Sequence, residues 1–408
     1  MFLLNALKKN SNEFILKLIE SFFGKMSFMV FTLLFALICT RLYGPEIFGK
    51  YTYAFSLVSL FMIIAKAGLD NGLMYSIPKN NNKHISFSFI VNILLSIVIV
   101  VLLYVFIQDI YIRWMLPLIW LVSAERLFFG IYRSQGKIKE YYFINGFLSM
   151  IIRIGSIVGL YYVTGENEYS VALGVYISFI FSNVVYYIKN KKNFGEVNVD
   201  KEYLKYSIPL VFATMMSTII NRIDIIMIGN MTNESYVGIY EITFLVSNSV
   251  ASLLIIFNTV FAPKIANLYH SGQIEVLQKL YVVSTRGLAI VALIITVIII
   301  MNSEFILSVF GEDIVEGVTA LNFRSIGQFI NIAVGGVWLM LSMTGKTKFQ
   351  LYANIFVCIV NISLNFILIP IYGINGAAFA SMVSIVLINI TGYFIVSRLF
   401  KVKVFKYI

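Results

Sequence analysis

"GKYTYAFSLVS", residues 49–59, and "GIYEITFLVSN", residues 238–248, are two versions of one pattern: Gly49 falls over Gly238, Tyr51 over Tyr240 and Phe55 over Phe244. A second pair follows in the same order. "GKIKEYYFIN", residues 136–145, aligns with "GKTKFQLYAN", residues 345–354, placing Lys137 over Lys346, Lys139 over Lys348 and Asn145 over Asn354. Each pair opens equivalent apolar runs, the second and eighth in one case, the fifth and eleventh in the other. Two matches in one order indicate a chain built twice from one unit.

The chain around these matches is oily. Of 408 residues, 59% are hydrophobic and 12% charged, and the mean hydropathy is +0.87. That composition excludes a soluble fold and indicates an integral membrane protein. A hydrocarbon core of about 30 Å takes roughly 20 apolar residues per helix. Runs of that kind read at 14–40, 51–77, 85–107, 113–134, 141–163, 170–188, 204–229, 237–262, 279–301, 318–343, 349–370 and 375–399, with turn formers such as Gly44-Pro45 and Tyr372-Gly373 between them. The expected architecture is an all-α integral membrane protein of twelve transmembrane helices in two six-helix halves. Residues 1–190 form the first half, 191–203 a cytoplasmic linker and 204–408 the second half. Six being even, the halves share an orientation, a transporter design with the substrate path between them.

Charge sets the orientation. Most of the 31 lysines and arginines fall in loops on one side, among them Lys137, Lys139, Lys189, Lys191, Lys192, Lys346 and Lys348. The opposite loops are acidic at Glu166, Glu168, Glu234, Glu304, Glu312, Asp313 and Glu316. The positive-inside rule then predicts both termini in the cytoplasm, and the net charge of +11 describes topology rather than an affinity for nucleic acid. No cleavable signal peptide is expected, because the N-terminal stretch runs into a full-length first span. Cys39 and Cys358 lie in apolar runs and give no disulfide framework. His84 and His270 stand alone in polar loops, where an isolated histidine is solvated rather than metal-bound. No phosphate-binding glycine loop or nucleophile elbow appears, so neither a cofactor nor enzyme chemistry is expected.

The informative residues are the charges inside the spans: Lys25, Lys66, Asp70, Glu125, Arg126, Arg153, Arg222, Asp224, Glu241, Arg286 and Arg324, with Glu20 near an inner end. A charge at the bilayer centre costs about 3 kcal/mol on insertion scales, so these side chains should face protein or a wet cavity. Lys66 and Asp70 are four apart and can pair on one helix face. Arg222 and Asp224, two apart, point to opposite faces, so one addresses a cavity while the other meets a neighbouring helix. Arg153 has no acid within four positions, which makes it an anion ligand or the partner of Glu125 or Asp70 across helices. Lys25, Arg286 and Arg324 lie nearer span ends, where snorkelling competes with function. Glu241 reads as an ion site or a wet surface carboxylate. Cations outnumber acids in this set, and guanidinium groups grip phosphate bidentately, so the expected cargo is anionic.

Residues 41–79, "RLYGPEIFGKYTYAFSLVSLFMIIAKAGLDNGLMYSIPK", resemble the first-loop and second-span signature of polysaccharide flippases, with Tyr43 where that pattern often has leucine. "NRIDIIMIGNM", residues 221–231, followed by "VGIYEITF", is similar to the same family's opening of its second half. The family is the Wzx-type O-antigen and capsule flippase group of the MOP exporter superfamily, which also holds multidrug extrusion transporters and lipid II flippases. The resemblance implies translocation of an undecaprenyl-diphosphate-linked oligosaccharide from the inner to the outer leaflet of the bacterial inner (plasma) membrane, for O-antigen, lipopolysaccharide or capsule assembly. It also implies working alongside a polysaccharide polymerase and chain-length machinery. On that reading Arg153, Arg222 and Arg126, with Lys66, Lys25, Arg286 and Arg324, are the substrate-binding candidates. Asp70, Asp224, Glu241 and Glu125 are the candidates for coupling Na+ or H+. Two alternatives stay open: a multidrug antiporter of the same superfamily, which fits an acid-dominated cavity better, and a membrane glycosyl-polymerase, which usually shows a large basic outer loop.

Overall fold

The computed structural model describes residues 2–79, 82–197 and 201–404, with side chains described from Phe23 onward except at 213, 217, 253, 256, 259 and 260, so Glu20 lies outside the described side chains. Every described element is helical: α1 Phe2–Lys66, α2 Leu69–Ser76, α3 His84–Phe106, α4 Ile110–Met115, α5 Leu118–Ser134, α6 Ile138–Tyr142, α7 Met150–Thr164, α8 Glu168–Asn190, α9 Lys201–Met231, α10 Glu234–His270, α11 Ile274–Met301, α12 Ser303–Ser308, α13 Val318–Ala333, α14 Val337–Met343 and α15 Thr347–Phe400. In lipid a helix satisfies all its backbone groups internally, which is why an apolar chain adopts it throughout. Polar residues mark the starts. Asp109, Asn167 and Asn233 each accept a hydrogen bond from a first-turn N–H of α4, α8 and α10.

The longest helices are broken by single glycines. Run straight, the 54 residues of α15 would extend about 80 Å, far beyond a bilayer. Gly373, at φ 55° and ψ −134°, divides it, and Gly44, at φ 77° and ψ 169°, divides α1. Both positions lie in conformations that glycine alone takes cheaply. Among the described residues, seven helices are long and apolar enough to cross a membrane, and nine if two bent pairs are each counted as one span.

Contacts divide the chain into two units, Met1–Ile219 and Ile220–Ile408, with the boundary inside α9. In the first unit α5 is central, packing on α1, α2, α3, α6 and α8. Its span is 72% buried where α3 is 17% buried, so α5 is the helix that can carry charge away from lipid. In the second unit α13 holds the equivalent place, against α10, α11 and α15.

Between α1 and α2 the helix breaks at Ala67 (φ 47°) and Gly68 (φ 70°). Asn92 on α3 caps the freed carbonyl of Ala65 at 3.1 Å. His84 is not a solvated loop residue: it opens α3, is 2% exposed and stacks on Tyr203 with ring centroids 4.4 Å apart. An aromatic neighbour that covers a ring face removes the imidazole from solvent, which spacing alone does not reveal. Cys39 and Cys358 are free and buried.

Candidate intramembrane charge sites

In the first unit Arg153 of α7 is 6% exposed. Its guanidinium lies 4.9 Å from the Phe179 ring centre and 5.6 Å from that of Phe35. Phe179 stacks on Phe55, and Phe55 on Tyr51, so two members of the repeated "GKYTYAF" pattern extend this aromatic wall. Arg153 Nε donates to Ser178 Oγ at 2.9 Å, and no acid of the described residues lies within ion-pair distance. Its two Nη groups therefore keep their donors for an outside acceptor. Arg126 of α5 is half-buried and likewise has no ion-pair partner among the described residues.

Beside them, Glu125 is 3% exposed. Oε1 accepts from Asn145 Nδ2 at 2.6 Å and from the Tyr141 hydroxyl at 3.2 Å, and Oε2 accepts from Ser182 Oγ at 3.1 Å. Asn145 arrives on a π-helical turn, Phe143–Ser149, that links α6 to α7. Such wide turns recur at functional positions. At the end of α1, Lys66 Nζ meets Asp70 Oδ2 at 2.5 Å across the Ala67-Gly68 break, and Asp70 Oδ1 has no hydrogen-bond partner among the described residues. Lys25 is exposed.

In the second unit the charges are paired. Arg222 of α9 donates from Nη1 to both carboxylate oxygens of Glu241 at 3.2 and 3.3 Å, so Glu241 is a buried ion-pair partner rather than a wet surface group. Asp224 accepts from Asn365 Nδ2 at 2.7 Å, from the Tyr240 hydroxyl at 2.8 Å and from Ser381 Oγ. Arg324, whose place near a span end left snorkelling open, does not snorkel. It is 3% exposed, lies 3.7 Å from Asp224, and donates to Tyr240, Ser381 and Ser247. Its guanidinium also lies 5.3 Å from the Tyr240 ring centre and 4.7 Å from that of Phe244, the repeat counterparts of Tyr51 and Phe55. Arg222 and Asp224 diverge as their spacing requires, yet both find partners on α10. Arg286 is half-buried and donates from Nε to the Val404 carbonyl at 2.8 Å.

The uncharged members of these sites carry no sequence flag. Ser178, Ser182, Asn145, Asn365 and Ser381 sit in apolar runs, as does the ladder in which Gln328 donates to Asn248 at 2.7 Å and Asn331 to Gln328 at 3.0 Å. Two faint signals exist: Asn145 falls over Asn354 in the repeat, and Asn361 and Asn365 share a helix face and bond to each other at 3.1 Å.

Among curated relatives, the capsular polysaccharide biosynthesis protein CapF of Staphylococcus aureus is 24% identical over 399 residues, covering 90% of this chain and 95% of CapF. Among solved structures, the lipid II flippase MurJ in an inward closed conformation matches with a TM-score of 0.76 at 16% identity, over 94% of this chain and 87% of that one. An inward-facing multidrug resistance MATE family transporter of the MOP superfamily matches with a TM-score of 0.74 at 13% identity, over 92% of this chain and 94% of that one. At these identities the solved structures show the fold alone, an all-α bundle of apolar helices. The family model described as polysaccharide biosynthesis protein matches residues 38–319, and with more than half of its length inside that match the chain belongs to the polysaccharide biosynthesis protein family.

Proposed function

We propose that this family member is a flippase, which carries an undecaprenyl-diphosphate-linked oligosaccharide from the inner to the outer leaflet of the bacterial plasma membrane by alternating access. The observation that carries the reading is Arg153, a buried arginine with both Nη groups unspent and no acid of the described residues within ion-pair distance. Diphosphate and sugars cannot cross about 30 Å of hydrocarbon unaided, because each unsatisfied polar group costs several kcal/mol there. Arg153 and Arg126 supply the anion ligands in the first unit. The polyprenyl tail stays in lipid.

The reading takes twelve spans: the breaks at Gly44 and Gly373 each divide a helix, the two bent pairs each count as one span, and α10 counts as another. The lysine and arginine bias then puts both termini in the cytoplasm, and the repeat unit reaches its polymerase and chain-length machinery on the outer face. Outward movement of a diphosphate across an inside-negative membrane is favoured by about 2.3 kcal/mol per charge per 100 mV. Return of the empty carrier is the step that Na+ or H+ antiport would drive. The MATE-like fold alone would also fit a drug antiporter, but Arg126 and Arg153 of the first unit, which form no ion pair among the described residues, repel cationic drugs.

Replacing Arg153 with alanine is expected to abolish surface polysaccharide while the protein stays in the membrane. Wild-type polymer with a membrane-inserted variant overturns the reading.

A further inference from the structure

Four carboxylates are buried among the described residues: Asp70, Glu125, Asp224 and Glu241. Three have a cation within 4 Å, at 2.5 Å for Lys66–Asp70, 3.7 Å for Arg324–Asp224 and 3.2 Å for Arg222–Glu241. Glu125 has none among the described residues, and its partners are a phenol, an amide and a hydroxyl. An intramembrane acid without a counter-ion marks a proton relay more often than a structural knot.

The Ser182 hydroxyl fits both charge states. It lies 3.1 Å from Glu125 Oε2 and 3.1 Å from the Phe179 carbonyl. With the carboxyl ionised, the hydroxyl donates to Oε2. With a proton on Oε2, the hydroxyl turns to donate to Phe179 O and accepts the new proton. Asn145 and Tyr141 donate to Oε1 in either state. Gaining a proton therefore reverses one hydrogen bond and orphans none.

The charges that reach Glu125 are Arg126 on its own helix and Arg153 on α7. From α6 and α8 it meets the phenols Tyr141 and Tyr186. The end of α1 brings Lys66 and α2 its partner Asp70, whose backbone lies against α5 at Gly130, and α3 carries His84, stacked on Tyr203. Ser182 and Ser178 are one turn apart on α8, so the helix that holds Glu125 also holds Arg153.

We propose that Glu125 is the protonation site that sets anion affinity in the first unit. When it is neutral, Arg126 and Arg153 present their full charge to a diphosphate. When it is ionised, it competes for that charge. At about 10 Å and an effective dielectric constant of about 20, one charge changes anion binding roughly tenfold. The proton is thus a co-ligand of the anion at this site, and an ion moving the opposite way must use one of the three paired carboxylates. The anion half of this proposal rests on the flippase reading; the proton site does not.

Infrared difference spectra of the purified full-length protein in nanodiscs, taken between acidic and alkaline buffers, test the proton site. A protonated-carboxyl band that disappears on the alkaline side in wild type and is missing from Glu125→Gln is expected. Identical spectra overturn the proposal, as does loss of the band on adding sodium at fixed pH. Ser182→Ala, which leaves the carboxyl in place, should keep the band and move its midpoint; an unmoved midpoint removes the hydroxyl switch. Binding of undecaprenyl diphosphate should tighten about tenfold from the alkaline to the acidic side in wild type and stay at the tight level throughout in Glu125→Gln. One pH profile for both proteins overturns the linkage and leaves the flippase reading standing. A titrating band with no lipid binding at any pH removes the flippase reading and keeps the proton site.

Discussion

Arg153 and Arg324 are both buried over aromatic rings, but they differ in freedom. Arg324 spends its donors on Tyr240, Ser381 and Ser247 beside Asp224, whereas Arg153 spends one on Ser178. Substitution should separate these roles. Arg153→Lys should keep only a small part of polysaccharide export, because an ammonium cannot hold Ser178 and grip an anion as a fork at once. Near-normal export in that variant would show that charge alone suffices. Asp224→Asn leaves Arg324 buried without its counter-ion, which costs about 3–5 kcal/mol, so the expected result is a lower melting temperature and lower membrane abundance. The charged residues were readable at once in an apolar chain, but their hydroxyl and amide partners were not. Ser178 and Ser182 donate to their own helix at Val175 and Phe179, just as Ser56 and Ser59 do at Thr52 and Phe55, and so look alike in the sequence. A serine that can satisfy itself locally gives no sign of a distant partner.

Among the helices, the breaks at Gly44 and Gly373 were legible as turn signals, because glycine and proline punctuate apolar runs. The break at Ala67-Gly68 and the π-helical turn at Phe143–Ser149 were not, because a lone glycine inside an apolar run, Gly68 in one and Gly146 in the other, does not say whether the helix departs from regularity there. Both depend on packing across elements. α2 lies so close to α9 that a Cβ added at Gly72 would overlap Ser207 Oγ and stand 2.7 Å from the Tyr203 ring. Gly72→Ala is therefore expected to destabilise the protein by about 1–3 kcal/mol, measured as a fall in thermal midpoint, and adding Ser207→Ala should restore part of the loss. No change in midpoint for Gly72→Ala would mean that α2 moves away easily.

For the molecule as a whole, the repeat read from sequence reappears as chemistry. Tyr51 and Phe55 belong to an aromatic wall that reaches Arg153, and Tyr240 and Phe244 flank Arg324. Arg324 spends three hydrogen bonds beside a counter-ion and Arg153 one with no ion pair among the described residues, an asymmetry that spacing does not encode because pairing depends on which helices face each other. A cargo with two negative charges gains from the membrane potential on its way out. Dissipating the potential with an ionophore should accordingly slow export at least about tenfold, and an unchanged rate would remove electrical drive. Deleting the protein should leave resistance to cationic drugs as it was; a sensitised strain would favour the multidrug alternative.

The Lys66–Asp70 contact also matters before the protein is finished. Two opposite charges four residues apart, in contact across the Ala67-Gly68 break, enter the bilayer as a nearly neutral dipole, so the segment that carries them faces a lower insertion barrier than two separate ions would. The pair is then a feature of biogenesis as much as of the mature protein: a chain that loses one partner is set to fail at the translocon, before any question of transport arises.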